Sequence, residues 1–287
     1  NSSPYQSFFL IKRFMPSEKQ HNLFGLAESC LFGGDLDGLL EQTHQARRYL
    51  DLKQLGFNSD TDPKPISHTV FPDRPVLMMP KDMPRRGTET QAGQGAFFHA
   101  LAHIEFVAIY LAWDIIYRFR GLPEQFYIDW LIIADEEATH FEMLRQHLRQ
   151  FNTDYGDLPA HSGLWWHARE TEHDILARLA IVPRCMEARG LDVTPSVMAK
   201  FAASGDQAAV AILQRIYEDE VGHVERGSFW FNTLAKQAGL DPEQHYKDML
   251  LGFYKGKPKG PFNREVRLKA GFTAGEIDWL EEGLTTG

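Results

Sequence analysis

Cysteine is scarce in this chain: Cys30 and Cys185 are the only two among 287 residues, and they lie far apart. Two thiols cannot build a disulfide scaffold or a thiolate metal cage, and this usage predicts a reducing cytoplasm. Long apolar runs are missing as well. The longest, Phe106 to Trp113, is closed by Asp114 and falls far short of the roughly 20 residues a spanning helix needs, so no membrane partner is expected. Positive charge is in deficit. Thirty Lys and Arg face 39 Asp and Glu, a formal net charge of −9, which argues against a general nucleic-acid partner or an anionic membrane surface. The first residue is Asn, and residues 1–4 lack a basic start followed by an apolar stretch, so no signal peptide is read and the native start is left open. Low-complexity tracts are absent too, Pro and Gly being near ordinary usage.

What is present is an ordinary globular composition, 43% hydrophobic and 24% charged, enough for one domain with appendages. A modest helical pattern from Leu23 to Leu55 is followed by six prolines between Asp60 and Arg86, which rule out a continuous helix and predict an extended connection wrapping over the body. Residues 1–95 therefore read as a helical and Pro-rich extension. Four long helical patterns follow: Ala96 to Arg120, Pro123 to Phe151, Leu164 to Arg189 and Asp206 to Ala238. Gly121, Gly190 and Gly239 are their stop signals, and Pro183 should kink the third. With almost no β pattern, the fold class is all-α, a four-helix bundle over 96–239, with residues 240–287 forming a basic loop between two short helices.

A Glu-x-x-His pair puts both side chains on one helical face, near enough to hold one metal ion. Chance alone gives roughly 1.6 acidic residues with His three positions on at this composition, yet the chain has five. They are Glu18/His21, Glu41/His44, Glu137/His140, Glu170/His173 and Glu220/His223. Burial separates them. Glu137 has Trp130, Ile133, Ala134, Phe141 and Leu144 on its face, and Glu220 has Leu213, Ile216, Tyr217 and Val224, whereas Glu41 and Glu170 sit among polar neighbours. Glu18/His21 has no bundle helix to sit on. A dinuclear site also takes a lone Glu from each of two further helices. Glu105 lies 32 residues before Glu137, and Glu187 lies 33 before Glu220, both with apolar flanks. Glu172 is the rival for the third helix, at a longer spacing. Four Glu and two His make an oxygen and nitrogen donor set suited to two Fe ions, with Mn or a mixed Mn/Fe pair using the same donors and Zn less favoured.

Glu105, Glu137-x-x-His140, Glu187 and Glu220-x-x-His223 resemble the ligand pattern of the ferritin-like di-iron carboxylate superfamily over about residues 96–238. The wider wording resembles a bacterial ferritin-like family catalogued as a domain of unknown function, number 455. The likeness runs through His99-Ala-Leu-Ala-His103-Ile-Glu105, Asp135-Glu-Glu-Ala-Thr-His-Phe141, Glu187-Ala-Arg-Gly-Leu-Asp192, Asp219-Glu-Val-Gly-His-Val224 and Lys259-Gly-Pro-Phe-Asn263. It implies a fold and a metal centre, and no settled reaction.

Several neighbours are candidates for supporting roles. His103, Glu136 and Asp219 could orient ligands by hydrogen bonds, Glu136 and Asp219 through the His of a neighbouring helix. Tyr217, one turn before Glu220, is either a redox-active neighbour of the metals or core packing. Arg184 is either a ligand clamp or a counter-charge. The tail from Lys255 to Lys269 concentrates positive charge in an acidic chain, making Asn263, Arg264 and Arg267 candidate binders of an anionic substrate, with a solvated loop as the alternative. The expected function is an O2- or peroxide-dependent oxidoreductase acting on a small molecule, with a separate electron donor. A second copy of the chain is left open as a partner. Similarity to a tRNA-hydroxylating member of the superfamily makes a nucleotide thinkable, against the net charge. The alternatives are iron handling of the ferritin kind and a metal-free helical interaction module.

Overall fold

The computed structural model describes residues 21–59, 62–66, 71–84, 87–254 and 258–283. Glu18, residues 1–4, and Lys255 and Lys257 of the basic tail lie outside the described residues. Helices dominate. The only strands among the described residues are β1 (His21–Asn22) and β2 (Leu55–Gly56), a short parallel pair.

The pattern from Leu23 to Leu55 resolves into two helices, each started by a side-chain cap. Asn22 accepts from Gly25 N ahead of α1 (Leu23–Phe32), and Asp35 accepts from Gly38 N ahead of α2 (Leu36–Asp51). These caps satisfy amide donors that no helical carbonyl can reach. In the described part of the Pro-rich stretch, Phe71 sets its ring edge against Phe106, Tyr110 and Trp165, and Leu77 forms a parallel bridge with Ala160.

α3 (Gln91–Arg118) and α4 (Glu124–Leu148) match their predicted spans closely and lie along each other. α1 packs on α3 and α2 on α4. α3 is apolar almost all round, which marks a helix enclosed by protein. It is long and apolar enough to cross a membrane, contrary to the reading from its longest run, but most of its apolar window is buried inside the protein. Charge is buried within it too: Asp114 pairs with Arg118 and Arg178.

The third helix departs from expectation. It begins as a short α5 (Gly163–Glu170), breaks, and restarts at α6 (Ile175–Ile181), where Asp174 accepts from Leu176 N and Ala177 N. It then passes through one π-helical stretch, Val182–Glu187, into α7 (Ala188–Ser204). Pro183 lacks an amide donor, and the chain answers by widening the turn rather than breaking. Gly190 stays inside the helix; Gly205, at φ 84°, makes the left-handed stop. α8 (Gln207–Gln237) packs against α4, α6 and α7. It comes so near the π turn that a Cβ on Gly227 would lie 2.6 Å from Pro183 Cβ.

The tail holds three short helices rather than two: α9 (Pro242–Phe253), α10 (Arg264–Lys269) and α11 (Ala274–Glu281). α9 rests on α6 and α8. Arg184, from the π turn, is fully buried, donates to Glu276 Oε2 at 2.7 Å and to Ser228 Oγ at 3.1 Å, and lies over the rings of Phe231, Tyr246 and Phe272. It is a counter-charge that ties α11 to the core, not a ligand clamp.

Candidate metal centre

Four carboxylates meet in the core between α3, α4, the π turn and α8. Glu105, Glu137, Glu187 and Glu220 line one cavity, and one ligand atom from each of Glu105, Glu137, His140 and Glu220 lies within 4.8 Å of the others. His140 Nδ1 stands 3.3 Å from Glu105 Oε2 and 3.5 Å from Glu137 Oε2. His223 Nδ1 stands 3.1 Å from Glu137 Oε1 and 3.4 Å from Glu220 Oε1. All six predicted ligands are thus brought together. The widened turn at Pro183 ends on Glu187 and so sets the face on which that carboxylate emerges.

Both imidazoles are held from behind by an exchanged carboxylate. His140, on α4, is 2.9 Å through Nε2 from Asp219 Oδ2 on α8, and His223, on α8, is 2.8 Å through Nε2 from Glu136 Oε2 on α4. Each orienting acid directly precedes the ligand Glu of its own helix. A carboxylate there accepts a hydrogen bond from Nε2–H, which leaves Nδ1 of the neutral ring as a lone-pair donor facing inward. Arginines hold the acids in turn: Arg215 Nε is 2.6 Å from Asp219 Oδ2 and Arg226 Nη1 is 3.3 Å from Glu136 Oε2. Arg215 was legible at four positions before Asp219.

The electrostatics follow from burial and crowding. Burial pushes Glu105 well above the usual carboxylate range, with the charge of Glu137 adding to it. Glu187 is raised likewise, by burial and then by Glu220 and Glu137, and Glu220 by burial and Glu137. Burial works the same way on Glu137, but hydrogen bonds with His140 and His223 outweigh it and hold this carboxyl low. Burial disfavours charge on His140 and His223, yet the acids around each raise both well above the usual value. The residues fit a cation on two grounds. Among the described residues, the buried atom Glu187 Oε2 lacks a hydrogen-bond partner, and Glu137 Oε2 and His223 Nδ1 face the other candidate ligands without a well-aligned hydrogen bond; an unsatisfied buried atom costs about 1–3 kcal/mol, which a metal would remove. In the deprotonated form that a metal would bind, four carboxylates beside two neutral imidazoles also carry four formal negative charges, which two divalent ions would cancel.

A family model described as "Protein of unknown function (DUF455)" matches residues 35–278, a span that holds every residue of the cluster. The chain belongs to the DUF455 family. It is also 45% identical over 219 residues, 74% of this chain and 76% of its relative, to an uncharacterised protein of Haemophilus influenzae. No solved structure matches it. The DUF455 match thus runs from α2 into α11, and the clustered Glu and His residues sit in its middle.

The other candidates lie elsewhere. His103 points away from the cluster, 2.9 Å from Tyr155 Oη and 3.2 Å from the His161 carbonyl, and burial lowers its pKa to about 4. Tyr217 turns its hydroxyl to Asn263 Nδ2 at 3.3 Å and does not line the cavity. Asn263 caps α10 and bonds Asp192 and Leu191. Arg264 pairs with Asp278 and Glu281 at the surface, and Arg267 is buried in a two-pronged pair with Asp192. Asn263 and Arg267 thus hold the tail onto α7, while Arg264 ties α10 to α11 within the tail. Glu172 pairs with Arg118 instead of reaching the cluster. His44 pairs with Asp135 and Glu142 rather than with Glu41. Arg189, a cation on the cavity wall, was missed; only its place two residues after Glu187 could have signalled it.

Proposed function

We propose that the chain is a ferritin-like four-helix-bundle oxidoreductase of the cytoplasm. It would hold two iron ions, or manganese in one or both places, through Glu105, Glu137, His140, Glu187, Glu220 and His223. One observation carries the reading: two Glu-x-x-His pairs on α4 and α8 face each other with both Nδ1 atoms inward, each ring fixed by the acid that precedes the other pair. A network serving stability alone would fill its own hydrogen bonds, and this one leaves three buried atoms without a well-aligned one.

Iron bound there would supply electrons and a Lewis acid for reduction of O2 or a peroxide. With O2, hydroxylation puts one oxygen atom into a C–H bond and reduces the other to water, taking two electrons and two protons from a separate donor. With a peroxide the oxidant supplies that balance itself. The chain's own residues orient and enclose. Asp219 and Glu136 hold the Nε2 protons so that the rings cannot turn, and the apolar walls of α3 and α7 keep bulk water from the carboxylates. A cavity of about 280 Å3 opens on the four carboxylates. Room for an organic molecule favours oxidation of a substrate over iron handling.

Elemental analysis of protein purified without chelator or added metal tests the reading, with anaerobic Fe(II) reconstitution as a second arm. About two Fe or Mn per chain are expected in the wild type, with most of that lost in Glu137→Ala. No metal in the wild type after reconstitution would reduce the cluster to a structural polar network.

A further inference from the structure

The cavity beside the carboxylates has a composition that selects its occupant. Leu101, Leu164, Val193, Val197, Leu213 and Ile216 are among its walls, and the four glutamates form its floor. His140 and His223 do not line it, so the cavity adjoins the side of the centre that the imidazoles leave open. An apolar chamber of this kind is poorly satisfied by water and well satisfied by hydrocarbon.

Apart from the floor, Arg189 is the only charged residue among the described lining. Its Nη1 donates to the Pro261 carbonyl at 3.2 Å and stands 3.6 Å from Asp192 Oδ2. Asp192 is already engaged: Oδ1 accepts from Arg267 Nε and Asn263 N, and Oδ2 accepts from Arg267 Nη2. The charge of Arg189 is therefore only weakly matched within the protein, and its side chain is 39% exposed. Arg189 and Met186 also line a neighbouring cavity of about 390 Å3 with Tyr254, Phe262 and the exposed Lys259. Arg189 thus stands where an apolar chamber at the metal centre meets an outer pocket carrying a second available cation.

We propose that the substrate is an amphiphile, with an anionic head, carboxylate or phosphate, held by Arg189 and Lys259 and an apolar body lying along the carboxylate floor. The proposal rests on the metal-centre reading for its chemistry but not for binding, which needs only the cavity and the cations. It also gives the basic tail a purpose: Lys259 serves the head, while Arg267 is spent on Asp192.

Calorimetric titration of the metal-free full chain separates the two ideas, because no metal is present for a carboxylate to bind. The probes are straight-chain carboxylates from hexanoate to dodecanoate, with the alkyl phosphate and primary alcohol of matching length. Affinity should rise about fourfold per methylene until the chamber is full, and the anions should exceed the alcohol by about tenfold or more. Arg189→Met should remove most of the preference for the anions, and Arg189→Met with Lys259→Met the rest, while alcohol binding stays unchanged. Val197→Trp, a rim substitution that fills the chamber, should abolish the chain-length dependence while the circular dichroism spectrum stays that of the wild type. The tighter of carboxylate and phosphate identifies the head. Affinity independent of chain length, or anion binding unaltered in Arg189→Met, would overturn the proposal even in a protein that retains two metals. Amphiphile binding by a chain that never takes up metal would uphold it and remove the oxidoreductase reading instead.

Discussion

His140 and His223 obey one rule: Nδ1 faces two glutamates and Nε2 faces a third acid from the other helix. Such outer acids commonly contribute 10–100-fold to metal affinity by fixing the ring and raising its basicity. Asp219→Asn should therefore weaken metal retention by roughly that factor in a chelator competition, with helix content unchanged; retention equal to wild type would reduce Asp219 to a surface acid. The same residues set a pH dependence. In the metal-free protein Glu105, Glu187, Glu220, His140 and His223 all have raised folded-state pKa values. Their contribution to stability is complete below the unfolded values and is lost as pH climbs through the folded ones. Glu137, Glu136 and Asp219 are lowered, so their contribution is lost on the acid side instead. A bound metal needs the carboxylates and rings deprotonated. The rise in Tm on metal loading should accordingly grow from about pH 6 to about pH 8, read by calorimetry with and without chelator; a gap constant with pH would contradict this protonation scheme. The clustering of these glutamates was legible in the sequence because a buried acid must sit among apolar neighbours at helical spacing. Arg189 was not, because a half-exposed arginine carries no periodic signature.

At the scale of elements, the π turn at Pro183 is the part the sequence did not disclose. A proline in a helical pattern announces a lost donor, but not whether the helix breaks, bends or widens. Gly190 was misread as a stop because a glycine's identity does not reveal its φ. The left-handed position fell at Gly205, where α7 ends. Gly227 depends on the same turn. With Pro183 Cβ at 2.6 Å from where its own Cβ would be, and Pro183 Cγ at 2.7 Å, Gly227→Ala must push α8 off the segment that carries Glu187. The cost should be about 1–3 kcal/mol in denaturant unfolding, with fewer metal ions retained per chain. An alanine variant as stable as wild type would show that the approach of α8 to Pro183 is looser than described. The boundary between α3 and α4 was foreseen to within two residues because Gly121 with Pro123 separates them, whereas α3 starts at Gln91, behind the Thr90 cap, five residues ahead of the expected Ala96.

For the molecule as a whole, the α1 and α2 extension and the α9 to α11 tail lie on the core rather than beside it: α1 covers α3, α2 covers α4, and Arg184 anchors α11 through Glu276. Their presence was legible from composition, but their docking was not, since few of their contacts are local in sequence. A chain wrapped in this way has little reason to build a storage shell, and size-exclusion chromatography with light scattering should find a monomer or dimer. A many-subunit particle would move the reading to iron storage. The exchange of acids between α4 and α8 has a further consequence. Each helix carries the clamp for the other's histidine, so the two cannot slip by one turn without unhooking both rings at once. The halves of the cluster are therefore interlocked, and a substitution that shifts one helix is felt at both histidines.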